Sequence, residues 1–426
     1  MTQKFRLNKS SFINRNKKIS FKFNGKKYFG YEGDTLASAL LSNGVHLVGR
    51  SFKYHRPRGF IGAGVEESNA QVQLYTGAKT EPNAIATTVE LVEGLVAKSQ
   101  NCWPSVNFDL GAINNFLSKF FPAGFYYKTF MWPRSFWYKI YEPVIRKAAG
   151  LGVAPLKPDP DRYDHKFEFC DILVVGSGPS GLASALSAAK NGARVILAED
   201  KPRFGGSLLT DDVTIGNKKG KEWAEETILQ LKSMPNVIIK NRSQVFGYYD
   251  HNMMVMTEKV KDHIENPSKF TPRQRLWYIR AKEVIISTGS IERPLIFGNN
   301  DRPGVMLASA AKEYMKIYAV IVGKKPIVFT NNDSGYDTAI EFKKNGIEPL
   351  VVDVRESSKS SVVQEAINLG INIKFSYGVV NANGYRRVSS AIIGKLNKDK
   401  SGYENLENIS CDCICVSGNW TPTVHL

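Results

Sequence analysis

No stretch of this 426-residue sequence is apolar for long enough to span a bilayer, so no membrane segment is expected. The first 20 residues are basic and polar and lack the apolar core of a secretory signal, which makes a cytoplasmic location the default. Cysteine is scarce: the five, Cys102, Cys170, Cys411, Cys413 and Cys415, are too few and too clustered for a disulfide framework. No C-x-x-C pair occurs, which removes both the usual zinc or iron–sulfur spacing and the dithiol of a disulfide reductase. No metal site is expected. The last three cysteines alternate with Asp412 and Ile414, a spacing that predicts one face of a strand with small apolar side chains inside a sheet. Acid is scarce at the amino-terminal end, where residues 1–60 hold 13 lysines and arginines against Glu32 and Asp34. A face of that sign suits nucleic acid, an acidic partner or an anionic ligand. No nucleic-acid motif accompanies it, so a docking face or a solvated basic surface is expected and a nucleic-acid partner is not.

What remains is a chain with 42% hydrophobic residues, long enough for two or three domains. Ile19–Phe23 alternates, Asn24-Gly25 is a hairpin turn, and Lys26–Tyr31 resumes the strand. Asp34 is expected to cap an apolar helix through Leu36, Ala37, Leu40 and Leu41 that ends at Gly44. Later strands are expected at Ala70–Leu74 and Thr87–Val92. A hairpin followed by a helix opens a β-grasp domain, the fold of plant-type ferredoxins, here over 15–102. That fold carries its cluster cysteines in C-x4-C-x2-C spacing after the helix, and Ser51–Asn69 contains none, so no [2Fe–2S] cluster is expected. Residues 103–165 form an aromatic-rich connector, from Trp103, Phe108, Phe116 and Phe120 to Phe136, Trp137, Tyr138 and Tyr141. Pro104, Pro122 and Pro133 break it into short pieces. Such density cements two domains or forms a subunit interface. Gly150–Asp164 reads as a linker.

Asp171–Val175 reads as a buried parallel strand that runs into Gly176-Ser177-Gly178-Pro179-Ser180-Gly181, and Leu182–Lys190 as an Ala-rich helix. Gly192 ends that helix, and Ala193–Ala198 is the next strand. The order is that of a Rossmann dinucleotide site. Gly176 makes the turn, Gly178 lets the backbone approach a pyrophosphate, and Gly181 permits close helix–strand packing. Pro179 suits the first helical turn, whose N–H groups and dipole face phosphate. Glu199 closes the second strand where a carboxylate accepts from both ribose hydroxyls and repels a 2′-phosphate, which favours NAD or FAD over NADP. Gly205-Gly206-Ser207 then brings backbone and a hydroxyl near the cofactor, and Val284–Ile286 leads to a turn, Ser287-Thr288-Gly289, that closes over it.

A second βαβ unit is expected from Pro326–Thr330, Tyr336–Asn345 and Pro349–Asp353. Its loop, Asn331–Gly335, lacks the glycine pair and carries Asp333, so it reads as a structural remnant. The expected division is one Rossmann domain over 166–295 and 396–426, with this degenerate second domain inserted at 296–395. The fold class is α/β, a Rossmann-type two-dinucleotide-binding-domain flavoprotein fold preceded by a ferredoxin-like domain without cluster. A strand at Cys411–Val416 calls for a covering helix that does not follow before Leu426, so the sequence is expected to stop short of the full protein.

The sequence resembles the α subunit of heterotetrameric sarcosine oxidases from about residue 15 onward. The resemblance is carried by Ser51-Phe52-Lys53-Tyr54-His55-Arg56-Pro57-Arg58-Gly59, by the run from Phe121 to Pro133, by the glycine loop, by Thr330-Asn331-Asn332-Asp333-Ser334 and by Val416-Ser417-Gly418-Asn419-Trp420. It implies oxidation of the N-methyl group of sarcosine to glycine and hydrogen peroxide, with methylenetetrahydrofolate formed when tetrahydrofolate is present. It also implies FAD and amine oxidation in the beta subunit, FMN at the alpha–beta interface, NAD in this chain, and gamma and delta partners. Family NAD contacts fall on Gly176, Gly178, Ser180, Gly181, Glu199, Asp200, Lys201, Ser207 and Val245, to which the closing turn adds Thr288 and Gly289. No catalytic residue is expected in this chain, and the family's folate-binding domain has no room in it. Two other readings stay open: an FAD-binding subunit of an opine oxidase or cyanide-forming glycine oxidase, and a non-catalytic NAD-binding interaction module.

Overall fold

The computed structural model describes residues 3–9, 11–120, 130–148, 152–399 and 401–426. Phe121–Thr129 of the family-like aromatic run, and Gly150 and Leu151 of the expected linker, lie outside the described residues. The chain divides into two compact units, residues 1–159 with 292–419 and residues 160–291 with 420–426. Among the described residues no helix is long and apolar enough to cross a membrane.

The first unit opens with the expected β-grasp. Asn14–Phe23 and Lys26–Glu32 pair as a hairpin across Asn24-Gly25, both at positive φ as a tight primed turn requires. The five-stranded sheet runs in the order Lys26–Glu32, Asn14–Phe23, Val96–Ser99, Gln71–Leu74, Glu81–Ile85. Phe21, Phe23, Val72 and Leu95 lie buried with the helix Leu36–Ser42, whose seven residues are all buried. The expected strand at Thr87–Val92 is instead the turn between Glu81–Ile85 and Val96–Ser99, and only Glu90 makes a bridge there. The helix cap differs by one residue. Thr35 accepts from the Ser38 amide at 3.1 Å while Ser38 Oγ accepts from the Thr35 amide at 3.0 Å, a reciprocal capping box. Asp34 is drawn away by a buried ion pair with Arg6 at 2.7 Å. Thr35→Ala is therefore expected to cost about 1 kcal/mol, read as a fall in the denaturation midpoint. An unchanged midpoint would show that Asp34 takes over the cap.

The same unit holds the degenerate second domain. Five parallel strands lie in the order Val305–Leu307, Cys413–Ser417, Pro326–Thr330, Leu350–Asp353, Asn372–Phe375, joined by an antiparallel meander, Tyr377–Gly384, Val388–Leu396 and Tyr403–Ser410. This corrects the expected boundary. Cys413–Ser417 completes the second sheet rather than returning to the first, because both its edges are taken up by Val305–Leu307 and Pro326–Thr330. Only residues 420–426 lie with the first Rossmann unit. The three late cysteines are buried, yet they do not share one face. Cys411 packs with Ile414 and Val416, since the alternation breaks at Asp412, whose carboxylate accepts from the Lys324 and Lys325 amides at 2.8–2.9 Å. Burial pushes the Cys411 thiol up to about 12, an inert core position.

Among its described residues the aromatic connector leaves several large rings outside a core. Trp103, Phe116, Phe120, Trp132 and Tyr138 are exposed, with Phe116 at 90%.

The second unit is a six-stranded sheet in the order Val237–Lys240, Val195–Ala198, Tyr163–Val175, Gln274–Ile286, Met253–Lys259, Ser243–Tyr249. The first four strands are parallel and the last two form an antiparallel extension. Pro179–Lys190 and Gly220–Lys232 cover one face through Leu182, Ala185, Ala189, Ile228 and Leu231. The apolar runs Ile172–Val175 and Val195–Ala198 are what a parallel sheet buried on both faces demands.

Candidate dinucleotide site

Parallel strand order brings the carboxyl ends of Tyr163–Val175 and Val195–Ala198 side by side, and the loop and Glu199 sit at those ends. Gly176 adopts φ +98°, and a side chain there would strike the Ser287 carbonyl oxygen at 2.3 Å. The turn Ser287–Gly289 thus presses on the loop from the neighbouring strand. Gly181 is more confined, since a Cβ would lie 1.9 Å from the Gly176 carbonyl oxygen. Gly178 is different. A Cβ on it would meet nothing within 4 Å, so this glycine keeps open space clear in front of the helix rather than relieving an internal clash. Gly178 caps the helix and Pro179 fills its first turn, leaving the helical N–H groups aimed at that space.

Glu199 is 6% exposed and turned inward. Its Oε2 accepts from the Ser177 amide at 2.9 Å and from the Ser177 hydroxyl at 2.5 Å, and its Oε1 accepts from the Lys201 amide at 3.0 Å. Burial, then the adjacent Asp200 carboxylate, push it up to about 7, against the pull of the Ser177 and Lys201 donors. A carboxylate has about four acceptor positions. Three are taken by these donors, so the expected fork to both ribose hydroxyls requires the Ser177 hydroxyl to turn away.

The other expected residues fall around the same loop. Ser180 is exposed on the first helical turn, and Asp200 and Lys201 are exposed beyond Glu199. Gly205 donates to the Ser177 carbonyl oxygen at 3.1 Å and holds the turn carrying Ser207 against the loop; a Cβ on Gly206 would meet the Gly178 Cα at 2.8 Å. Val245 differs: its side chain is buried in the core with Cys170, Ile196 and Met256, so that side chain does not reach a ligand. Thr288 donates its hydroxyl to the Thr423 carbonyl oxygen at 2.6 Å, and the Thr423 amide donates to the Gly289 carbonyl oxygen at 3.0 Å. The expected division had put residues 420–426 in this domain, but nothing local marks the contact of Thr288 with Thr423, 135 residues away. Sequence reading missed Ser177, the variable position of the loop, as the residue that holds Glu199.

The corresponding place in the second domain is closed. Asp353, at the end of its second strand, is fully buried. It accepts from the Tyr336 hydroxyl at 2.7 Å and from Arg355 Nη2 at 2.8 Å, while Arg355 Nη1 reaches Asp333 at 2.7 Å. The acid that would take a ribose is consumed internally.

Residues 16–102 match the family described as 2Fe-2S iron-sulfur cluster binding domain, and residues 171–245 the family described as FAD dependent oxidoreductase. Sarcosine oxidase subunit alpha of Rhizobium meliloti (strain 1021) is 46% identical over 99% of this chain. The chain is thus similar along nearly its whole length to a sarcosine oxidase alpha subunit. Sarcosine oxidase subunit alpha of Corynebacterium sp. (strain P-1) is 32% identical over 97% of the chain. The chain spans 42% and 38% of the length of these two relatives. Among solved structures, L-proline dehydrogenase from P. horikoshii has a TM-score of 0.60 at 18% identity, covering 99% of this chain and 63% of that one, which shows a shared fold.

The residues do not fit the cluster for which the amino-terminal match is described. A [2Fe–2S] cluster needs four thiolate or imidazole ligands. The matched stretch holds one cysteine, Cys102, and two histidines, His46 and His55, fewer than four, and burial pushes the Cys102 thiol up to about 11. Among the described residues no group of three or more His, Cys, Asp or Glu side chains could hold a metal. The glycine loop, in contrast, fits a dinucleotide: an open approach at Gly178, a helix N-terminus behind it and a carboxylate at the second strand.

Proposed function

We propose that this chain is the nucleotide-binding portion of the alpha subunit of a sarcosine oxidase-type complex and holds NAD in the Gly176–Gly181 loop. The observation that carries this reading is the intact loop with Glu199 at the strand end, in a chain whose cluster position and second nucleotide position are both chemically void. Glu199 opposes a 2′-phosphate, which supports NAD over NADP. The acid beside the loop, Glu199, is assigned to the ribose rather than to proton transfer, which supports a structural or regulatory nucleotide. Amine oxidation then belongs to FAD in the beta subunit, with FMN at the alpha–beta interface and the gamma and delta subunits completing the assembly. The exposed aromatic connector supports a chain that works under the cover of partners, because so much apolar surface is rarely left to water.

A second reading has FAD in the same loop, as in an opine oxidase or cyanide-forming glycine oxidase. The description of the family matched by residues 171–245 favours it. The two separate cleanly. The chain is purified, denatured, and its released nucleotide identified by absorbance and mass. NAD without flavin is expected; stoichiometric FAD would overturn the NAD assignment. Co-expression with the partner subunits is expected to give sarcosine-dependent peroxide, and activity on an opine instead would reject the substrate.

A further inference from the structure

The cluster-free segment after the β-grasp helix is not merely empty of cysteine. Gly49–Arg50 and Pro57–Arg58 form a short antiparallel ladder, and the turn between them is closed by Ser51 Oγ accepting from the Arg56 amide at 2.9 Å. Beside it opens a cavity of about 280 Å³, lined among others by Arg50, His55, Arg56, Asn115, Arg302 and Tyr385.

Two arginines there have a structural explanation. Arg56 donates to both Asp301 oxygens at 2.7 Å, and Arg58 donates to the same carboxylate, so one acid from the second domain holds two guanidinium groups of the β-grasp. Arg50 and Arg302 lack such an explanation. Arg50 is 8% exposed, and its donors go to backbone carbonyl oxygens, Nε and Nη2 to Val106 at 3.0 and 2.7 Å and Nη1 to His55 at 3.2 Å. Arg302 donates through Nη1 to the Tyr385 carbonyl oxygen at 3.2 Å, and its Nε is buried with no hydrogen-bond partner among the described residues. Carbonyl oxygens satisfy hydrogen bonds without neutralising charge. Three guanidinium groups, Arg50, Arg56 and Arg302, line this one cavity against one carboxylate, Asp301, while Asp109 is held by His55 Nδ1 at 2.7 Å outside the lining. Burial, then the like charge of Arg56, depresses the pKa of Arg302.

We propose that this cavity is an anion site for a phosphate-type dianion, either phosphate itself or the head of a small phosphomonoester. The guanidinium fork matches phosphate oxygens, and the excess of two positive charges matches a dianion. The volume lies just under the range of roughly 300–1,000 Å³ usual for whole small-molecule pockets, which suits a phosphate head and leaves no room for a dinucleotide.

The proposal is independent of which nucleotide fills the glycine loop, and the test keeps the two apart. Inorganic phosphate is titrated into the full chain, with NAD saturating the glycine loop and chloride holding ionic strength constant, by calorimetry and by phosphorus NMR. Saturable one-to-one binding is expected, weakened at least tenfold in Arg302→Gln. Asn115→Asp, an isosteric change at an exposed position on the cavity rim, is expected to weaken it at least fivefold by repulsion even if Arg302→Gln fails to fold. Glu199→Ala is expected to leave it unchanged. Absence of saturable binding, equal binding in Asn115→Asp, loss of binding in Glu199→Ala, or a preference for malonate over phosphate would each overturn the assignment.

Discussion

Gly181→Ala is expected to abolish dinucleotide retention and to destabilise the Rossmann unit together. The added Cβ would sit 1.9 Å from the Gly176 carbonyl oxygen and 2.9 Å from its carbon, so backbone rather than a flexible side chain must yield. Forcing extra volume into a packed position costs about 1–3 kcal/mol, and here the part that shifts is the phosphate loop itself. A fall of roughly 5 °C or more in the melting midpoint is expected, with nucleotide content after purification below about a tenth of wild type. Gly178→Ala is the control that separates fold from site. Its Cβ meets nothing within 4 Å, so the midpoint of the nucleotide-free protein should hold while retention falls, because the methyl group enters the space a pyrophosphate would use. If Gly178→Ala binds normally, the pyrophosphate does not pass in front of that glycine.

Glu199→Ala is expected to weaken NAD binding by about 2–4 kcal/mol, the loss of ribose hydrogen bonds to a charged acceptor. The same carboxylate makes the affinity pH-dependent. Ribose hydroxyls donate to the ionised form, whereas burial and Asp200 hold Glu199 up to about 7 in the free protein. Below pH 7 the nucleotide must expel a proton to bind, and above it need not. Affinity is therefore expected to be roughly tenfold lower at pH 6 than at pH 8, with proton release on binding at pH 6 that calorimetry in buffers of different ionisation enthalpy can count. The nucleotide-free protein has the opposite sign. A raised carboxyl pKa favours the folded state most at acid pH, and that contribution is lost as pH rises from about 4.5 through 7. An affinity flat from pH 6 to 8 would mean that Glu199 is not the ribose acceptor.

Much of this chain is legible from local pattern. Asn24-Gly25, the apolar strand before Gly176, the Ala-rich helix and the acid at 199 each have a physical reason confined to a few neighbouring residues, and each stands where that reason puts it. The missing cysteines between Ser51 and Asn69 exclude a cluster without any coordinates, because ligands are a matter of composition. The misreadings have one cause in common. Thr35 rather than Asp34 caps the first helix because Arg6, far off in sequence, claims Asp34. Cys413–Ser417 joins the second sheet because strand partners are chosen by burial on both edges, which no window of sequence contains. The Ser177–Glu199 contact, the Thr423 tail beside Thr288, the closure of Asp353 by Arg355 and the meeting of Arg50, Arg56 and Arg302 around one cavity likewise depend on long-range packing. By itself, then, the sequence determined the element types, the loop chemistry and the absence of a cluster, because these rest on backbone preference and residue identity. Only the tertiary structure decided which acid is free to meet a ligand and which is spent on a neighbour, because hydrogen-bond partners are allotted by folding.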